Sequence, residues 1–138
     1  MPLFADEADV YATIGAMFEA LVADPQLGPK LGALNTVLYV RFTTPDAHIV
    51  LDATQAHPTV ALGTVPGSYG TRLSMTADVG HRFWLGRLNV AAALARGQVR
   101  SDGNMAKLMR LLPVMKPAFA LYADLLRTRG RQDLLEGA

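Results

Sequence analysis

Cysteine is absent from the chain. Its absence excludes a disulfide framework, a thiol nucleophile and thiolate metal ligands, and fits a cytoplasmic protein. Long apolar runs are missing too. Hydrophobic residues make up 51% of the 138 and mean hydropathy is +0.21, yet no run approaches the ~18 residues of a membrane-spanning helix. The excess must therefore be buried in a core, a cavity or a subunit interface. Nor is there a surplus of one charge: a net charge of +1 offers no general field for nucleic acid or an anionic membrane. At this length the expected organisation is one domain, residues 1–138, with neither linker nor repeat.

Familiar catalytic patterns are also scarce. His48, His57 and His81 have no second histidine four residues on, and none sits in a His-Glu-x-x-His arrangement. A metal site would need tertiary assembly, so none is expected. There is no Gly-x-Ser-x-Gly, and Asp78 and Asp102 read as cap and turn residues. Gly63, Gly67 and Gly70 lie between strands, where they serve turns and not a phosphate loop. No catalytic residue and no cofactor is expected. The opening residues MPLFADEAD have no basic segment ahead of an apolar one, and Glu136-Gly137-Ala138 matches no retention or peroxisomal address. Ten arginines against three lysines, with abundant alanine, suggest GC-rich bacterial coding.

What is present is periodicity. Val10, Ile14, Met17, Phe18 and Leu21 fall on one face of a helix over about Asp6 to Ala23, which Asp24-Pro25 ends. A Gly- and Pro-punctuated connector follows from Gln26 to Leu34. The period then changes to two in Thr36 to Thr43, and Ile49, Leu51 and Ala53 continue it after the turn Thr44-Pro45-Asp46-Ala47. Val60 and Leu62 mark a third strand; Leu73 and Met75 mark a fourth after Pro66-Gly67-Ser68. Connections this short predict an antiparallel meander. Thr76 caps a helix over Ala77 to Leu85, Asn89 starts another to Arg96, and Gly97 closes it. Gln98 to Ser101 is an edge strand, and Asp102-Gly103 a turn. Asn104 caps a helix with Met105, Leu108, Met109 and Leu112 at helical spacing, which Pro113 interrupts. The last helix carries Met115, Phe119, Tyr122 and Leu126. Arg127, Arg129 and Arg131 either cap and solubilise its end or meet lipid head groups.

Apolar stripes on helices that flank a sheet are core by default. Three features also allow a cavity. Four of the six methionines (Met75, Met105, Met109, Met115) lie in the second half of the chain, and methionine adapts to irregular partners. Phe83 and Trp84 are adjacent, so a helix points them about 100° apart. Pro113 and Pro117 break the final helices where a mouth could open. On pattern alone both readings stand.

Three segments then resemble the sterol carrier protein type 2 domain family: Leu73-Ser-Met-Thr-Ala-Asp78, Gly97-Gln-Val-Arg-Ser-Asp-Gly103-Asn104, and Lys107-Leu-Met-Arg-Leu-Leu112. The likeness covers about Asn35 to Leu112; the first and last helices agree in order only. Asn104 stands where that family commonly has aspartate. The Pro113–Pro117 ending sets the chain apart from eukaryotic carriers, so fatty acyl and polyketide-like molecules stand beside sterols as ligands. The resemblance implies an α+β fold: an antiparallel sheet of about five strands, covered on one face by helices, with a hydrophobic tunnel between. It further implies non-catalytic binding and transfer of a lipid-like molecule, with transient membrane contact and no nucleic-acid partner. The expected lining is Phe83, Trp84, Met105, Leu108, Leu112, Met115 and Phe119. Two alternatives remain. A cone-shaped polyketide-cyclase or isomerase would need a buried acid–base pair; an interaction module would use the apolar groove as an interface.

Overall fold

The computed structural model describes residues 3–136. Met1-Pro2 and Gly137-Ala138, within the termini read above for targeting signals, lie outside the described residues. The chain is α+β, with a five-stranded sheet and helices that share one core with it. Strands β1 (Thr36–Thr43), β2 (Ala47–Ala53), β3 (Thr59–Leu62), β4 (Thr71–Thr76) and β5 (Val99–Gly103) are arranged in the order β3-β2-β1-β4-β5.

The sheet is not a simple meander. The pairs β1–β2, β2–β3 and β4–β5 are antiparallel, but β4 lies parallel to β1, with Val40 opposite Leu73 and Phe42 opposite Met75. The chain leaves β3 at one edge and returns on the far side of β1, where Gly70 donates its N–H to the Val37 carbonyl at 2.9 Å. Leu38, Val40, Phe42, Ile49 and Leu51 share one face and belong to the core they form with the helices.

Helix α1 (Glu7–Val10) continues through a π-helical turn, Tyr11–Gly15, into α2 (Ala16–Ala23). Asp24 ends it in extended conformation, as the following proline requires. The expected connector contains α3 (Leu27–Gly32) instead. Asp24 Oδ1 accepts from the N–H groups of Gln26 and Leu27, at 2.8 and 2.9 Å, which satisfies the helix start despite Gly28 and Pro29.

Three caps fall where side-chain chemistry places them. Thr76, Asn89 and Asn104 accept from Val79, Ala92 and Lys107, and so begin α4 (Ala77–Trp84), α5 (Val90–Ala95) and α6 (Met105–Val114). Asp102-Gly103 is not a turn but the end of β5, paired with Arg72 and Thr71. A Cβ at Gly103 would lie 2.1 Å from the Gly70 carbonyl oxygen, so the strand can end there only on glycine. Pro113 stays inside α6, and the break comes two residues later at Met115, which joins α6 to α7 (Lys116–Thr128). A last helix, α8 (Gln132–Glu136), has no counterpart among the expected elements.

Candidate functional site

Two features place the helices unequally over the sheet. Helix α4 sits tight on β1, since a Cβ at Gly80 would come within 2.6 Å of Phe42 Cε1. Farther along, α5 covers only a small cluster of Val79, Ala93 and Val99, which Leu73 and Met75 share with the main core. Between these regions the packing is incomplete.

The gap forms an apolar seam of two small cavities, of about 40 and 30 Å³. Both touch Leu73, Met75, Phe83, Leu108 and Leu112. The first is closed by Leu88, Val90 and Leu94 around α5, together with Val99. The second reaches inward to Phe18, Trp84, Leu111 and Met115, and to the strand residues Leu38 and Val40. Every lining side chain is hydrocarbon, aromatic or thioether, and none is titratable. Such a surface can exclude water and bind apolar matter, but offers nothing to move a proton.

The structure distributes the seven expected lining residues unevenly. Phe83, Leu108 and Leu112 line both cavities; Trp84 and Met115 line the second. Phe83 and Trp84 touch edge-to-face at 4.8 Å, and each reaches a different helix. Trp84 packs edge-on against Phe18 of α2 at 5.1 Å, and Phe83 against Phe119 of α7 at 5.8 Å. Phe119 therefore backs the wall without facing either cavity. Met105 lies outside them, 40% exposed, where its sulfur accepts from Ser101 Oγ at 3.1 Å. The buried stripe of α6 runs through Leu108, Leu111 and Met115, one step round the helix from the expected Met105–Met109 line. The strand-borne and α5-borne parts of the lining were absent from the expected set. Their apolar alternation was visible, but a strand facing a core and one facing a cavity share the same pattern.

Two of the three histidines are hydrogen-bonded within the fold. His81 is fully buried: its Nε2–H donates to the Leu134 carbonyl, and Nδ1 accepts from the Tyr122 hydroxyl, both at 2.7 Å. Burial lowers its pKa, which the bond to Leu134 only partly offsets, so the ring is neutral. Burial likewise raises the pKa of Tyr122. His48 shares a 2.7 Å hydrogen bond with the Tyr39 hydroxyl on the other face of the sheet, and His57 is exposed in a loop. Among the described residues no three His, Cys, Asp or Glu side chains group as metal ligands, and no helix is long and apolar enough to cross a membrane. Of the three C-terminal arginines, Arg127 pairs with Asp124, and Arg131 with Asp9 and Asp133.

Residues 16–116 match the SCP-2 sterol transfer family. No curated protein sequence matches the chain. Among solved structures, the sterol carrier protein domain 2 of Helicoverpa armigera is 17% identical, with a TM-score of 0.64 over 83% of this chain and 90% of that one. Sterol carrier protein 2 from Yarrowia lipolytica is 18% identical, with a TM-score of 0.63 over 86% and 98%. Sterol carrier protein 2 from Aedes aegypti, solved in complex with palmitate, is 19% identical, with a TM-score of 0.52 over 82% and 97%. At these identities the likeness is one of fold.

Proposed function

This chain belongs to the SCP-2 sterol transfer family, and from that membership we propose that it binds and carries a molecule with a long apolar body, held in the seam between the sheet and α5–α6. The whole chain acts as one ligand-binding domain in the cytoplasm, touching membranes only transiently. The observation that carries this reading is the seam: two neighbouring voids with purely apolar walls, placed where the packing of helix on sheet is thinnest.

The voids are far smaller than the roughly 300–1,000 Å³ of a typical ligand pocket. Energetics account for that. An empty apolar cavity of about 300 Å³ would cost about 7 kcal/mol at ~24 cal/mol per Å³, comparable to the ~5–15 kcal/mol that stabilises a whole domain. A tunnel of that size is therefore stable only around what fills it. Filling contributes ~25 cal/mol per Å² of apolar surface removed from water.

Helix α6 is built to give way. Its first turn is tied to the sheet: the Thr71 hydroxyl donates to the Asn104 carbonyl at 3.1 Å, and Lys107 Nζ donates to the Asn35 carbonyl at 2.5 Å. Its far end is broken at Met115, and Met109 is 57% exposed beside Leu108 and Leu112. The chain acts as a carrier and not an enzyme. A cyclase would need an acid–base pair facing the substrate, and the lining supplies none.

Uptake of a fluorescent fatty acid tests the proposal. Leu108→Arg places a charge in both voids and should abolish uptake; Leu112→Gln, at the half-buried edge, should weaken it in a chain that circular dichroism shows to be folded. Full uptake by both folded variants would overturn the assignment. Uptake by neither the variants nor the parent would overturn it too.

A further inference from the structure

The opposite face of the sheet carries a second recess, which shares only Met75 with the lining of the apolar seam. Register sets His48, Arg41, Ser74 and Arg100 side by side across β2, β1, β4 and β5. Their side chains share the face that Val40, Leu73 and Met75 turn away from. Arg41, Ser74 and Arg100 line an open groove of about 250 Å³, with Thr43, Thr76 and Gln98 at its end. No carboxylate lines it.

Charge sets this row apart from the next row on the same face. One step along the strands, Arg72 lies 3.8 Å from Asp102, and Tyr69 donates to that carboxylate. Arg127 and Arg131 also have carboxylate partners. Arg41 and Arg100 have no ion-pair or hydrogen-bond partner among the described residues. Two strand spacings put their Cα atoms about 10 Å apart, so two guanidinium forks flank the Ser74 hydroxyl with nothing to neutralise them. A carboxylate has only two oxygens, and a single fork engages both. A phosphate monoester offers three peripheral oxygens, enough for two forks and a hydroxyl at once.

We propose that the Arg41–Ser74–Arg100 groove binds a phosphate group, with the two arginines clamping its oxygens and Ser74 donating between them. The site stands independently of the lipid-carrier reading, because it lies on the other face of the sheet.

The test titrates isotope-labelled protein with inorganic phosphate at low ionic strength, where exposed charges are least screened. Signals of Ser74 and of the Arg41 and Arg100 side chains should shift saturably. Arg41→Ala and Arg100→Ala should each weaken binding about tenfold and the double variant about a hundredfold, whereas Arg110→Ala, the same charge change elsewhere, should not. Cosedimentation with phosphatidylcholine vesicles, with and without phosphatidic acid, locates the source of the group. Binding that needs both phosphatidic acid and the two arginines assigns the groove to a lipid head group. Phosphate binding without vesicle binding assigns it to a soluble phosphate ester. No saturable response to either probe, or undiminished binding by the double variant, would overturn the proposal. Fatty-acid uptake should be unchanged in the double variant, which separates failure here from failure of the carrier reading.

Discussion

The two ends of the helical layer are built differently. Where α1, α4, α7 and α8 meet, apolar packing is reinforced by polar ties between distant parts of the chain. His81 joins Tyr122 to Leu134, Arg131 joins Asp9, Leu3 N–H donates to Asp78 Oδ1 at 3.0 Å, and Arg87 donates to the Leu135 carbonyl at 3.1 Å. Where α5 and α6 cover the sheet, the contacts past the first turn of α6 are apolar, and they leave voids. Directional bonds hold one geometry, whereas apolar contacts can be exchanged for those of a ligand at little cost. The latched end is held by directional bonds; the seam is held by apolar contact.

Truncation should expose the contrast most strongly. Tyr122→Ala removes a fully buried ring and the hydroxyl on His81, and should cost about 3–5 kcal/mol in denaturant unfolding. Leu112→Ala, beside existing space, should cost only about 1–2 kcal/mol. Equal losses would erase the distinction. Gly80→Ala comes next: the added methyl meets Phe42 where α4 touches the sheet and should destabilise by about 1–3 kcal/mol.

The latched end should also respond to pH. His81 has a folded pKa below the ordinary 6.5, because burial disfavours the charged ring. The unfolded chain therefore takes up protons first on acidification. The stability His81 contributes is complete above about pH 6.5 and is lost as pH falls through its folded pKa. Melting temperature should decline over that interval, and His81→Gln should flatten the decline. Asp9 titrates lower: burial alone would raise its pKa, but hydrogen bonds from Arg131 and Ala5 outweigh it and hold it below 3.8. Smallest of all, Arg127→Ala should change stability by no more than about 0.5 kcal/mol, since that pair is well exposed. Arg131→Ala, whose partner Asp9 is largely covered, should cost more.

Much of the fold is legible in the sequence because its signals are local. Alternation marks Thr36–Thr43 to the residue, and Thr76, Asn89 and Asn104 announce three helices by a side-chain oxygen that accepts from the third N–H onward. Non-local features are not legible. The parallel pairing of β4 with β1 rests on a return across the sheet that a short connection disguises as a hairpin. Helix α3 hides behind Gly28, Pro29 and Gly32, all of which read as breakers until Asp24 is seen to cap it. The candidate site divides the same way. Leu108 and Leu112 follow from helical spacing, and Phe83 from its adjacency to Trp84. Their strand partners Leu73 and Met75 do not, because facing a void and facing a core leave the same trace. Met105 has the same spacing but lies off the buried stripe of α6, which is turned toward Leu111.

The most direct test of the central claim is methyl-resolved NMR of the unliganded chain titrated with palmitate. Signals of Leu108, Leu112, Leu73 and Met75 should move together and saturate at one equivalent, while those of Leu126 and Leu134 at the latched end stay in place. No saturable change, or shifts led by Leu126 and Leu134, would contradict the account.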